Sequence, residues 1–198
     1  MNRLPDLVRA WSRCLHSSDG SAIVEFAISL PLLVVFIVGI FDFSGAFNQK
    51  QKIEHAAQEG AIVAGAQPTG DIETTNSNPQ SLHPVLTVIF NSLAADDVLP
   101  NHGTACTVSP LPTPTQTSGA LIWDYKIPCG SDNLDIAINR GWAQAVTGTT
   151  DTFALGTQVT VTYPYHWRFN SAIQLLFPGA NFTTPTQLSE SATVHNQM

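Results

Sequence analysis

The sequence predicts an α+β fold: a long N-terminal helix packed on a small antiparallel sheet, with one further short helix. Three observations predict it. From Ala22 to Phe41 only Glu25 is charged. From Ser44 to Gln67 small and aliphatic residues recur at helical spacing. In the last third, Thr157 to Tyr163 and Gln187 to His195 alternate apolar with hydroxyl residues in a period of two.

The first segment reads as a membrane anchor. A twenty-residue helix rises about 30 Å, the thickness of the hydrocarbon core. A removable secretory signal has a shorter apolar core, about 7–15 residues, although Ser44 and Ala46 offer a small-residue pair beyond the segment. Arg3, Arg9 and Arg13 precede the anchor and Lys50 and Lys52 follow it, an imbalance that favours a cytoplasmic N-terminus. Pro31 removes one intrahelical hydrogen bond and is expected to kink or unwind the preceding turn. Glu25 and Ser29 stand four apart and share a face, which is expected to meet protein instead of lipid.

The helix is expected to continue over 44–67. Ala46, Phe47, Ile53, Ala56, Ala57, Gly60, Ala61, Val63 and Ala64 form its apolar stripe, and Gln67-Pro68-Thr69-Gly70 ends it. A second helix runs from Pro84 to about Val98, although the β-branched run Thr87-Val88-Ile89-Phe90 also suits a strand. Residues 109–119 are a Pro/Thr/Ser-rich extended loop. Leu121 to Ile127 reads as a strand, and Ala172 to Phe177 is a short apolar run. Tyr163, Tyr165, Trp167 and Phe169 read as a strand or strand end with one buried face. Residues 68–198 together make one α+β domain.

Composition narrows the function. Charged residues are 12% of the chain and the net charge is -7. The charge is unevenly spread: +1 over residues 1–20 and -6 over 44–198. An acidic domain without basic clusters argues against nucleic acid as a partner. No G-x-S-x-G, H-E-x-x-H or phosphate loop occurs, so neither a catalytic set nor a cofactor is expected. No metal site is expected either. Asp132-Asn133-Leu134-Asp135 lacks the glycine and glutamate of a calcium loop, and turn or helix-cap roles are expected for its acids.

Cys14 precedes the anchor, whereas Cys106 and Cys129 follow it. The downstream pair suits a disulfide in an oxidising compartment. Two separate buried thiols, or a zinc site completed by His102, are the alternatives.

One carboxylate inside the anchor is costly, about 2.5–3.5 kcal/mol on insertion scales for an acid at mid-helix, and therefore marks a functional candidate. The residues around it carry a family resemblance. Gly20-Ser21-Ala22-Ile23-Val24-Glu25-Phe26-Ala27, then Leu30-Pro31-Leu32-Leu33 and Gly39-Ile40-Phe41-Asp42-Phe43, resemble the opening of TadE-like proteins. These are pseudopilin-like components of tight-adherence (Tad/Flp) pilus systems. Gln51 to Ala61 resembles the helical continuation of that family, and Val159 to Tyr165 is similar to its later part.

The resemblance implies a pilin-like fold and a non-catalytic minor pilin. It implies cleavage by a prepilin peptidase after Gly20, with Ser21 as the new N-terminus and Glu25 as the fifth mature residue, followed by Phe26 where Tyr is common. Ser21 departs from the Phe usual in type IV pilins, so N-methylation is not expected. The implied partners are the peptidase, other pilin or pseudopilin subunits through the anchor, and an inner-membrane pilus platform. The implied location is the bacterial inner membrane, with residues 1–20 as a cytoplasmic leader, 21–43 spanning, 44–67 continuing the helix and 68–198 periplasmic, or carried into an extracellular pilus. The alternative is an uncleaved, single-pass anchored periplasmic binding module.

Overall fold

The computed structural model describes residues 18–99, 106, 108–145, 153–168, 174, 179 and 186–197. Helix α1 runs Ser18–Ala66 with Pro31 inside it, and its helical span is unbroken there. The expected unwinding before Pro31 is thus absent: the ring costs one hydrogen bond, and the helix continues on both sides. A 3-10 turn at Gln80–Leu82 leads into α2, His83–Ala95. Five strands follow: β1 Thr115–Gln116, β2 Ile122–Cys129, β3 Asp132–Ala145, β4 Phe153–Pro164 and β5 Gln187–His195. They form one antiparallel meander in the order β1-β2-β3-β4-β5. The α+β architecture is the one the sequence predicts.

The chain divides into two compact units. One joins Met1–Ser44 with Trp167–Thr183, and the other joins Gly45–His166 with Thr184–Met198. Helix α1 contributes to both.

In the second unit, the buried stripe of α1 is Ile53, Ala56, Ala57, Gly60, Ala61 and Ala64. Phe47, expected in that stripe, is 65% exposed instead. It stands one residue round from buried Ala46 and so points off the packed face. The small residues matter because they let backbones approach. A Cβ on Gly60 would lie 2.5 Å from Ile89 Cγ1 of α2 and 3.5 Å from Val159 Cγ1 of β4. A Cβ on Gly45 would lie 2.7 Å from the Tyr165 hydroxyl. At Gly60, helix α1 therefore packs directly against side chains of both α2 and β4.

The sheet turns one set of alternating side chains towards the helices: Trp123, Tyr125 and Ile127 of β2, Leu134, Ile136 and Ile138 of β3, and Val159, Val161 and Tyr163 of β4. Strand register aligns Trp123 with Ile138, Ile138 with Val159, and Val159 with Ala192 across four strands. The opposite face is polar, with Lys126 beside Asp135, Asp135 beside Thr162, and Thr162 donating to Ser189 Oγ at 2.8 Å. Lys50 of α1 reaches Glu190 of β5 at 3.1 Å. That pair is half-exposed, so it fixes alignment more than it adds stability.

Helix α2 ends at Ala95, short of the expected Val98. Asp97 takes a left-handed conformation at φ 56°. Its N–H donates to Ala94 O at 3.3 Å while that of Val98 donates to Leu93 O at 3.0 Å, a Schellman close.

Strand β3 departs from the sequence expectation. Asp132-Asn133-Leu134-Asp135, expected to serve as turn or cap, instead opens this strand. The turn itself is Gly130-Ser131, between paired Cys129 and Asp132, with Gly130 at φ +70°. Further along, Asn139 pairs with Gln158 but Trp142 pairs with Gly156. Arg140 and Gly141 thus oppose Thr157 alone, which is a β-bulge.

Candidate processing and assembly site

Gly20, Ser21, Glu25 and Phe26 all lie within α1. Ser21 and Glu25 are exposed, and Phe26 is 64% exposed. Ser29, on the Glu25 face, donates its hydroxyl to the Phe26 carbonyl at 3.1 Å, one turn back along the helix. Among the described residues no ion pair involves Glu25. Ser21 stands four residues before Glu25, so both share one face about 6 Å apart along the axis.

The surrounding surface is apolar and open. This is the one helix among the described residues that is long and apolar enough to cross a membrane, and only 6% of its most apolar stretch is buried. A core helix of a soluble domain would be mostly covered. Here Ile23, Ile28, Ile40 and Phe41 are each more than two-thirds exposed.

Residues 20–61 match the family model described as TadE-like protein. Over that stretch the chain is similar to TadE-like proteins. No curated protein and no solved structure matches the chain. The match joins the acid-bearing apolar half of α1 to the small-residue half that packs on α2 and the sheet. The family suggests a component of Tad-type pili, a structural role. A single apolar N-terminal helix is compatible with a membrane anchor.

Cys106 and Cys129 are joined in a disulfide and also form an antiparallel bridge at the end of β2. His102, the third member of the alternative zinc set, lies outside the described residues, as do Cys14, Phe169 and most of Ala172–Phe177. Among the described residues no group of three His, Cys, Asp or Glu is placed to hold a metal.

Two features escaped sequence reasoning. The first is the C-terminal end of α1, which carries no basic residue of its own in its last turn. Arg140, 4% exposed, is turned inward at the bulge and supplies the missing cation from β3. Its guanidinium donates to Ala64 O, to Gln67 O at 3.0 Å and to Thr157 Oγ1 at 3.1 Å. The helix end thereby gains both hydrogen-bond donors and a compensating charge. Burial pushes the guanidinium below its ordinary value, while Asp71 pushes it back up. Burial also raises Tyr125, with Asp71 adding to the effect. For Asp71 itself, burial acts upward, but donors including the Ser81 N–H at 2.8 Å outweigh it and hold the carboxyl below its ordinary value.

The second feature lies at the end of the apolar stretch of α1. Asp42 is 6% exposed and accepts a hydrogen bond from Arg168 N–H at 2.7 Å. Beside it, Phe43 and Trp167 meet edge to face with ring centroids 5.2 Å apart. No local pattern links residues so far apart in sequence.

Proposed function

We propose that this chain is a minor pilin of a Tad/Flp-type system: a non-catalytic subunit, anchored by residues 21–43, cut after Gly20 by a prepilin peptidase, and assembled through its apolar helix. The observation that carries the proposal is the exposed apolar half of α1, bearing one acid, inside the segment that matches the TadE-like family.

The local chemistry supports cleavage at Gly20. A protease takes an extended substrate, and this bond lies within a helical span. Gly20 is the weak point: glycine costs a helix about 1 kcal/mol relative to alanine. Ser18 and Asp19 before it are also poor helix formers. The cut creates an ammonium at Ser21, one helical turn before Glu25. Both ions are expensive at the membrane, and pairing within a chain or between neighbours offsets that cost. Removing one partner of a buried pair typically costs about 3–5 kcal/mol. The free N-terminal end of the helix adds a partial positive charge that also favours the acid.

In this reading the leader, residues 1–20, stays cytoplasmic, and the domain that follows the helix is periplasmic. The peptidase, neighbouring pilin subunits and the inner-membrane platform are its partners.

Mass spectrometry of the mature N-terminus should find Ser21. A chain that still starts at Met1 would leave an uncleaved anchored module in place of the pilin. Glu25→Gln should still be cut but assemble poorly, and unchanged pilus formation by that variant would remove the ion-pair role.

A further inference from the structure

We propose that Trp167, seated on Phe43, is an interfacial anchor that gives this chain a second, non-helical attachment to the lipid headgroup layer. The inference rests on the membrane reading above and adds a contact that the helix alone does not supply.

Several observations converge on it. The apolar run of α1 ends at Phe41, so a helix that fills the hydrocarbon core brings Asp42 and Phe43 to the water interface. Tryptophan concentrates at that level, where its ring is apolar and its N–H finds water or headgroup oxygen. The Trp167 ring lies 5.2 Å from that of Phe43, and Ile40, Phe41 and Phe43 are 68%, 74% and 53% exposed. The indole thus joins an apolar band that is already open around the helix.

The polar half of the junction fits the same layer. Asp42 is satisfied by the Arg168 N–H, so the backbone that carries Trp167 is held to the helix exit. Arg168 is exposed, and a guanidinium at this height suits lipid phosphate. Pro31, Val35, Val38, Gly39 and Asp42 follow one helical face and are its less exposed positions, which leaves the other faces for lipid. Met1–Ser44 and Trp167–Thr183 form one compact unit, and Arg168 is the only charged residue in the sequence from 167 to 183.

The test uses the full chain labelled with 5-fluorotryptophan in nanodiscs of phosphatidylcholine and phosphatidylglycerol. The Trp167 resonance is identified by its loss in Trp167→Phe. Lipid spin-labelled near the headgroup should broaden it several-fold more than the resonance of Trp123, which is buried in the sheet core. A separate Phe36→Trp variant reports on the anchor with lipid labelled at the chain end. If its added resonance is not broadened, the membrane reading itself fails. If it is broadened while Trp167 behaves like Trp123, the anchor stands and the interfacial role is overturned. A Trp167 resonance that escapes the label but moves with protein-to-lipid ratio assigns the ring to a second copy of the chain, which also overturns the proposal.

Discussion

Replacing Arg140 tests whether a strand residue holds the end of the long helix. Arg140→Met keeps much of the side chain's volume but removes the charge and every donor. The carbonyls of Ala64 and Gln67 and the hydroxyl of Thr157 then lose their guanidinium bonds. Hydrogen bonds to a charged group contribute about 1.5–3 kcal/mol each, and a buried acceptor left alone costs about 1–3 kcal/mol. Against this stands relief from burying a cation, which costs several kcal/mol. Thr157 keeps Asn196 Oδ1 at 2.6 Å, and Gln67 is only half-buried, so the unrelieved loss falls mainly on Ala64 O. The balance is a destabilisation of about 2–4 kcal/mol, or about 5–15 °C in Tm for a domain of this size. Arg140→Lys, which restores the charge but not the three-way fork, should fall between. Near-ultraviolet circular dichroism of the full chain in detergent follows aromatic packing, including that of buried Trp123 and Tyr125, and is blind to the backbone signal of the long helix. An Arg140→Met variant that melts with the parent or above it would refute the reasoning.

Gly60→Ala sets about 1 kcal/mol of helix propensity against an overlap with Ile89 at 2.5 Å, for which overpacking costs about 1–3 kcal/mol. It should be neutral to destabilising alone and stabilising in an Ile89→Ala background, as a double-mutant cycle on unfolding free energy will show. Asp71, held below its ordinary value of 3.8 when folded, contributes stability that is complete above that pH and is lost as pH falls through its folded value. Acid titration of Tm should therefore be flatter for Asp71→Asn than for the parent below about pH 4. Reducing the Cys106–Cys129 bridge, or replacing both with Ser, should remove about 3 kcal/mol through the loop it closes. An unchanged denaturant midpoint after reduction would show that the bridge adds nothing.

What the sequence made legible followed from periodicity. The apolar half of α1 and the small-residue stripe from Ile53 to Ala64 repeat over many turns, so no single residue decides them. Strands β4 and β5 were legible through alternating Val, Thr and Ser. Strand β3 was missed although Leu134, Ile136 and Ile138 alternate with Asp135, Ala137 and Asn139. Flanking acids read as turn chemistry, and the bulge at Arg140-Gly141 breaks the period where it would have confirmed itself. At the candidate site, the Gly20–Phe26 pattern is local and therefore readable. Arg140 and Trp167 were invisible because their meaning lies in partners far along the chain, Ala64 in one case and Phe43 in the other.

The remote closure of α1 also dictates an order of events during biosynthesis. Its last turn is finished by Arg140 from β3 and by the Gln197 N–H, which donates to Gly65 O at 3.0 Å. The helix leaves the ribosome before the sheet, yet its far end stays unsealed until the strands and the residues beyond β5 have emerged. A chain stalled or clipped before that point would present a frayed helix end, a simple mark by which unfinished copies differ from finished ones.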